Sequence, residues 1–192
     1  MFKKEVRIIA WDDCAFSFRQ KSVLVVGVVF RGGQFMDGLL STKIAKDGLD
    51  ATQKIAASIK NSRHYDQLNI IMLDGITFGG FNMINIKELR QKTKLPVIAV
   101  QRDEPNMEKF LLAMKRVKRY RKRLQIVKNA GKIYKYNWIH YQKNGLTNKE
   151  CEELLKLTCI RSKIPEPIRV AHLIASGLSR NTDYGYESRG RA

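Results

Sequence analysis

The strongest constraint on how this chain can fold is a change of hydrophobic period near residue 50. Before it, three segments read as strands. Residues 4 to 12 set Val6, Ile8 and Ala10 against Arg7, Ile9 and Trp11, and both sides turn apolar toward the end, as in a strand inside a sheet. LVVGVVF at 24 to 30 is dense in β-branched residues. Arg31-Gly32-Gly33 is a turn signal, and Gln34 to Ile44 returns from it as a third strand, so the chain opens as an antiparallel meander. From Asp50 onward Ala51, Ile55 and Ile59 recur at helical spacing, with Asp50 as N-cap of a helix reaching about Asn61.

Short apolar strands and helical stretches then alternate. Asn69 to Leu73 reads as a strand, Asn82 to Lys92 as a helix, and Leu95 to Val100 as a strand that tolerates Pro96 at its start. Pro105 suits a helix's first position ahead of the stripe Met107, Phe110, Leu111, Met114 and Val117. Three strands followed by helix, strand, helix, strand and helix require a mixed α/β sheet covered by helices on at least one face. Farther on, Lys132 to Trp138 is a strand or an extended segment. A helix at 147 to 158 opens with a Thr147/Glu150 capping box, and another spans 167 to 177. No repeat or linker divides the chain, so 1–192 reads as one domain, with 181–192 as a tail that is mobile or ordered only against a ligand.

Charge narrows the partners. The formal net charge is +18, from 36 Lys plus Arg against 18 Asp plus Glu, and such a surface attracts polyanions and releases their counterions. Nucleic acid is the expected partner, and a solvated Lys-rich surface is the alternative. The opening residues do not form a secretory signal, and no apolar run approaches the roughly 18 residues of a membrane span. Cys14, Cys151 and Cys159 share no disulfide or zinc spacing, which points to a reducing cytoplasm. Oligomeric state is left open.

Acids fall at strand ends. Asp12 and Asp13 end the first strand, and Asp74 ends the fourth, ahead of Gly75 and the Gly79-Gly80 pair. If these strands are parallel neighbours, Asp12 and Asp74 reach one rim and can hold Mg²⁺ or Mn²⁺ against a phosphodiester. Alternation favours Asp12, which shares the side of Val6, Ile8 and Ala10, over Asp13. The competing reading is an ordinary turn and a strand terminus. Asp47 and Asp50 flank Gly48-Leu49, where one can cap the helix and the other complete the site. His64 and His140 read as structural and Cys14 as a small buried residue, while Gly79, Gly80 and His172 are candidates for a base-pocket rim.

Seven of the nine residues in KRVKRYRKR at 115 to 123 are basic: Lys115, Arg116, Lys118, Arg119, Arg121, Lys122 and Arg123. On a continued helix they would encircle it, so only some can hold a phosphate backbone, together with Arg31, Lys43 and Arg102. A partner protein is the other use of such a run. Tyr134, Tyr136 and Trp138 form either a base-stacking surface or the buried face of a strand. Neither glycine pair completes a phosphate loop or a dinucleotide fingerprint, which argues against ATP-driven and nicotinamide chemistry.

RIIAWDDCAF (7–16), VLVVGVVFRGGQFMDGLLSTKIAKDGLDAT (23–52), IMLDGITFGGFN (71–82), LPVIAVQRDEP (95–105) and HLIASGLSR (172–180) together resemble the archaeal endonuclease dU family, distantly similar to endonuclease V. The resemblance implies an RNase H-like fold and a metal-dependent DNA endonuclease of DNA repair that cleaves beside deaminated bases. It places the family's first-strand aspartate on Asp12 and its Asp-Gly on Asp74-Gly75. The group's intervening glutamate has no counterpart here, and Asp47 or Asp50 lies nearest. Ala10-Trp11 and Asn181-Thr182 depart from the usual pattern without removing a proposed ligand. The alternatives are a non-catalytic nucleic-acid-binding protein and a nuclease of structured RNA.

Overall fold

The computed structural model describes residues 2–179. The opening meander consists of β1 (Arg7–Asp13), β2 (Ser22–Arg31) and β3 (Phe35–Ala45), all antiparallel. After α1 (Ala51–Lys60) the chain adds β4 (Ile70–Asp74) parallel to β1. A small ribbon of β5 (Thr77–Phe78) and β6 (Asn82–Met83) follows, then α2 (Ile86–Thr93) and β7 (Val97–Gln101), parallel to β4. Two helices, α3 (Met107–Met114) and α4 (Tyr120–Ala130), lead to the hairpin β8 (Tyr134–Tyr136) and β9 (Ile139–Asn144), and α5 (Asn148–Thr158) and α6 (Glu166–Ser179) finish the described chain. The main sheet runs β3-β2-β1-β4-β7-β9-β8. This is the expected mixed α/β fold with leading antiparallel strands.

The central strands are apolar on both sides because both faces are covered. Ile9, Trp11, Ile71 and Leu73 pack with α1 to α4 in one core, while Ile8, Ala10, Ile70 and Met72 pack with α5 and α6 in the other. Gly27 stands opposite Trp11 across β1 and β2, and a Cβ there would come within 2.7 Å of the indole. The glycine therefore makes room for the Trp11 side chain.

Two local expectations are corrected, and a third is extended. Asn82 does not begin a helix, because its buried amide is used on the chain upstream: Nδ2 donates to the Ala45 carbonyl (2.7 Å) and to Asp50 Oδ1 (2.6 Å), and Oδ1 accepts from Ala51 N–H (3.0 Å). Asn85 instead caps α2, accepting from Glu88 N–H. The basic run is not one helix: α3 stops at Met114, and Arg119 adopts φ 61° before α4 begins. The segment 132–138 is the start of a hairpin that turns at Asn137 (φ 53°), and β9, with buried His140 and Gln142, closes the sheet on β7.

Candidate metal centre

Two strand ends and one helix build the site. β1 and β4 run parallel with Trp11 opposite Leu73, so Asp12 and Asp74 emerge side by side at their C-terminal ends. Alternation sends both carboxylates to the side of Ile8, Ala10, Ile70 and Met72, where α6 packs across β1 and β2. His172, next to the buried Ala171, reaches the strand ends from that helix, its Nδ1 2.8 Å from Asp12 Oδ2. One donor atom from each of Asp12, Asp74 and His172 lies within 4.8 Å of the others. Two ligands about 2.0–2.5 Å from a shared ion stand at most about 4–5 Å apart, so the three side chains fit one divalent cation. Sequence reasoning made His172 a candidate for the rim of a base pocket; it lines the cleft and also offers a third donor atom to the cluster.

The electrostatics of the cleft favour a cation. Burial pushes the Asp12 carboxyl up, with the hydrogen bond to His172 acting against it. Burial likewise lifts Asp74 to about 6, helped by the charge of Asp12 and opposed by Arg102 and His172. Asp13 is also raised to about 6 by burial, against the hydrogen bond it accepts from Gly79. Carboxyls crowded and desolvated in this way are relieved by a bound dication, which favours their ionised form. The cleft they share, about 660 Å³, is also lined by Phe16, Thr77, Arg102 and Ser176.

The other predicted site residues lie elsewhere. Asp47 Oδ1 accepts from Phe81 N–H (2.8 Å), and Asp50 Oδ1 accepts from Ala45 N–H (3.1 Å) and Asn82 Nδ2, so both carboxylates close the turn into α1 rather than join Asp12 and Asp74. Gly79 and Gly80 do not line the cleft. Gly79 (φ 52°) donates to Asp13 Oδ2 (3.0 Å), and Gly80 (φ 82°) abuts the Asp47 carboxylate. Arg31 is paired with Asp37, which Arg7 also binds (2.6 Å). Lys43 is exposed on β3, two residues beyond Ser41 on the face that carries Asp12.

Arg123 departs most from expectation. Expected to touch phosphate, it is instead buried at 2% exposure. Its guanidinium donates to the carbonyls of Asp47 (2.5 Å), Gly48 (2.8 Å), Lys118 (3.1 Å) and Phe81. A planar five-donor group can join the α1 turn, the β5–β6 loop and the start of α4, which a lysine could not do at once. Lys115, Arg116, Lys118, Arg119, Arg121 and Lys122 are exposed.

Fold and site together define an α/β protein with a candidate cation centre of two carboxylates and one imidazole at the open end of a parallel strand pair. The chain belongs to the archaeal endonuclease dU family, whose profile matches residues 4–179. A UPF0215 protein of Methanosarcina acetivorans is 50% identical over 196 residues, covering 99% of this chain and 96% of that protein. The crystal structure of a protein of unknown function from Archaeoglobus fulgidus is 41% identical, covers 90% of this chain and 98% of its own, and superposes with a TM-score of 0.85. Endonuclease V of Ciona intestinalis, in complex with a 24mer DNA containing an inosine followed by a ribo-adenosine, shares the fold at 13% identity. Its TM-score is 0.59, with 88% of this chain and 84% of that one covered. Among the described residues no helix is long and apolar enough to cross a membrane.

Proposed function

We propose that this protein is a divalent-metal-dependent endonuclease that hydrolyses DNA phosphodiester bonds beside deaminated bases, with Mg²⁺ or Mn²⁺ as cofactor. The observation that carries the reading is the convergence of Asp12, Asp74 and His172 on one point of an open cleft in a chain of net charge +18. A divalent cation held by these three side chains supplies Lewis-acid polarisation of a phosphate oxygen and lowers the pKa of water. Arg102, on the same cleft and close enough for its charge to act on both aspartates, meets the phosphate and offsets its charge. The exposed basic residues between Lys115 and Lys122 hold the flanking backbone without reading sequence. The cleft has the size of an ordinary ligand pocket, enough for an extruded nucleotide. The endonuclease V likeness, in a complex with inosine-containing DNA, supports the choice of substrate.

The test is end-labelled single- and double-stranded DNA and RNA carrying uracil, hypoxanthine or normal bases, incubated with Mg²⁺, Mn²⁺ or EDTA. Nicking of the deaminated DNA with metal alone is expected, and Asp12→Asn or Asp74→Asn should lower it at least about 100-fold, the scale of several kcal/mol of metal catalysis. Full activity in either variant refutes the site. Binding without product makes the protein a non-catalytic binder, and cleavage confined to RNA moves the substrate to structured RNA.

A further inference from the structure

The loop between β1 and β2 leaves the acidic cleft through Cys14, Ala15 and Phe16, which line it. Ser17 to Gln20 then form a tight turn. Gln20 N–H donates to the Ser17 carbonyl (3.3 Å), Ser17 N–H to Gln20 Oε1 (3.1 Å) and Arg19 N–H to Ser17 Oγ (3.3 Å). At the tip stands Phe18, 98% exposed, where a polar residue would satisfy the turn equally well. The ring is nonetheless held in place. Lys46 Nζ donates to the Phe18 carbonyl (2.9 Å) and lies 4.3 Å from the Phe18 ring centroid and 5.8 Å from that of Phe16. With the ammonium against one side, the exposure of Phe18 leaves the other side of the ring open. Arg19 and Lys21, which follow it along the chain, are exposed.

Taking the cleft to act on DNA, as above, we propose that Phe18 is a stacking platform for an unpaired base of the strand entering that cleft, with Arg19 and Lys21 on its phosphates. The reach is suitable. Phe18 lies two residues from Phe16, at most about 7 Å along the chain, and a stacked strand advances about 3.4 Å per nucleotide. The ring therefore meets a base within about two nucleotides of the cleft. An aromatic face accepts any base, so this contact adds affinity and fixes an unstacked geometry without selecting sequence, and the surrounding cations match the anionic strand.

The test uses the full-length protein in EDTA, where binding is separated from cleavage, with fluorescein-labelled DNA single strands and mismatched duplexes carrying 2-aminopurine beside the unpaired base. Phe18→Ala should weaken binding about tenfold, the scale of losing one stacked base, and abolish the change in 2-aminopurine emission, while Phe18→Trp restores both. Lys21→Ala should keep the emission change and lower the salt slope of log K by about one. Because Phe18 is almost wholly exposed, its loss should leave the melting temperature unaltered, and a melt checks this. Phe18→Ala binding within twofold of wild type, with the emission change retained, overturns the proposal. Phe18-dependent binding without metal-dependent cleavage sustains the platform and refutes the nuclease. Failure of the wild type to bind any of these strands refutes both.

Discussion

Replacing Arg123 by Ala separates two uses of the basic run, because a phosphate contact and a buried clamp respond oppositely to the same change. At 2% exposure the side chain has no surface to offer a strand, and its donors are engaged by the carbonyls of Asp47, Gly48, Phe81 and Lys118. Hydrogen bonds to a charged group are each worth about 1.5–3 kcal/mol, and the desolvation of the guanidinium takes back several kcal/mol of their sum. Truncation then leaves four acceptors facing a cavity, at about 1 kcal/mol each once water has partly refilled it. The expected loss is about 3–5 kcal/mol. For a chain of 192 residues, about 2–4 °C per kcal/mol makes this a fall of about 6–20 °C in melting temperature. Arg123→Lys, able to reach only part of the carbonyl set, should fall in between. Circular-dichroism melts measure the stability, and anisotropy titrations with labelled duplex over a range of salt measure the phosphate contacts. A melting temperature within about 2 °C of wild type, together with a salt slope shallower by about 0.9, would show that Arg123 neutralises a phosphate and that the clamp is irrelevant.

Asn82→Ala should cost about 3 kcal/mol in urea unfolding, since it strips a buried amide from the Ala45 carbonyl, Asp50 and Ala51 N–H; a loss below about 1 kcal/mol would contradict those bonds. Mn²⁺ at about 100 times its Kd should add about 2.7 kcal/mol to the stability of the wild type, read as a rise in melting temperature that EDTA reverses. An equal rise in Asp12→Asn would place the ion elsewhere. Changing the exposed Lys118, Arg121 and Lys122 together to Ala should lower the salt slope of DNA binding by about 2–3 and move the melting temperature by under about 2 °C; an unchanged slope would give the run to another partner.

Much of the fold was legible because the central strands are short, apolar and separated by helical periods, so type and order followed from alternation and spacing. The errors occurred where a polar group is used internally. Asn82 sits in an otherwise helical-looking stretch, yet its amide anchors Ala45 and Ala51, and the helix cannot begin until Asn85 supplies a cap. β9 was missed because Ile139 to Asn144 carries His140 and Gln142 in buried positions, and the Gln142 amide donates to the Gly131 carbonyl (2.9 Å). A residue such as Gln142, read as solvent-facing, hides a strand when its amide is satisfied by a neighbouring loop.

The site divides along the same line between local and distant information. Asp12 and Asp74 could be placed on one face by counting alternate residues along two strands, because a parallel neighbour preserves that count from one strand to the next. His172 could not, since its approach to Asp12 spans 160 residues and depends on how α6 lies across the sheet. Asp47 and Asp50 carry suitable chemistry in a suitable stretch, but Ala45 at the turn into α1 and Phe81 in the adjoining β5–β6 loop have N–H groups to satisfy, and the nearest carboxylates are spent on them. A turn that consumes its acids withholds them from a cation across the sheet. The third donor of the candidate centre comes from the opposite layer, where the imidazole of His172 stands against Asp12, so that docking of α6 brings it to the cluster.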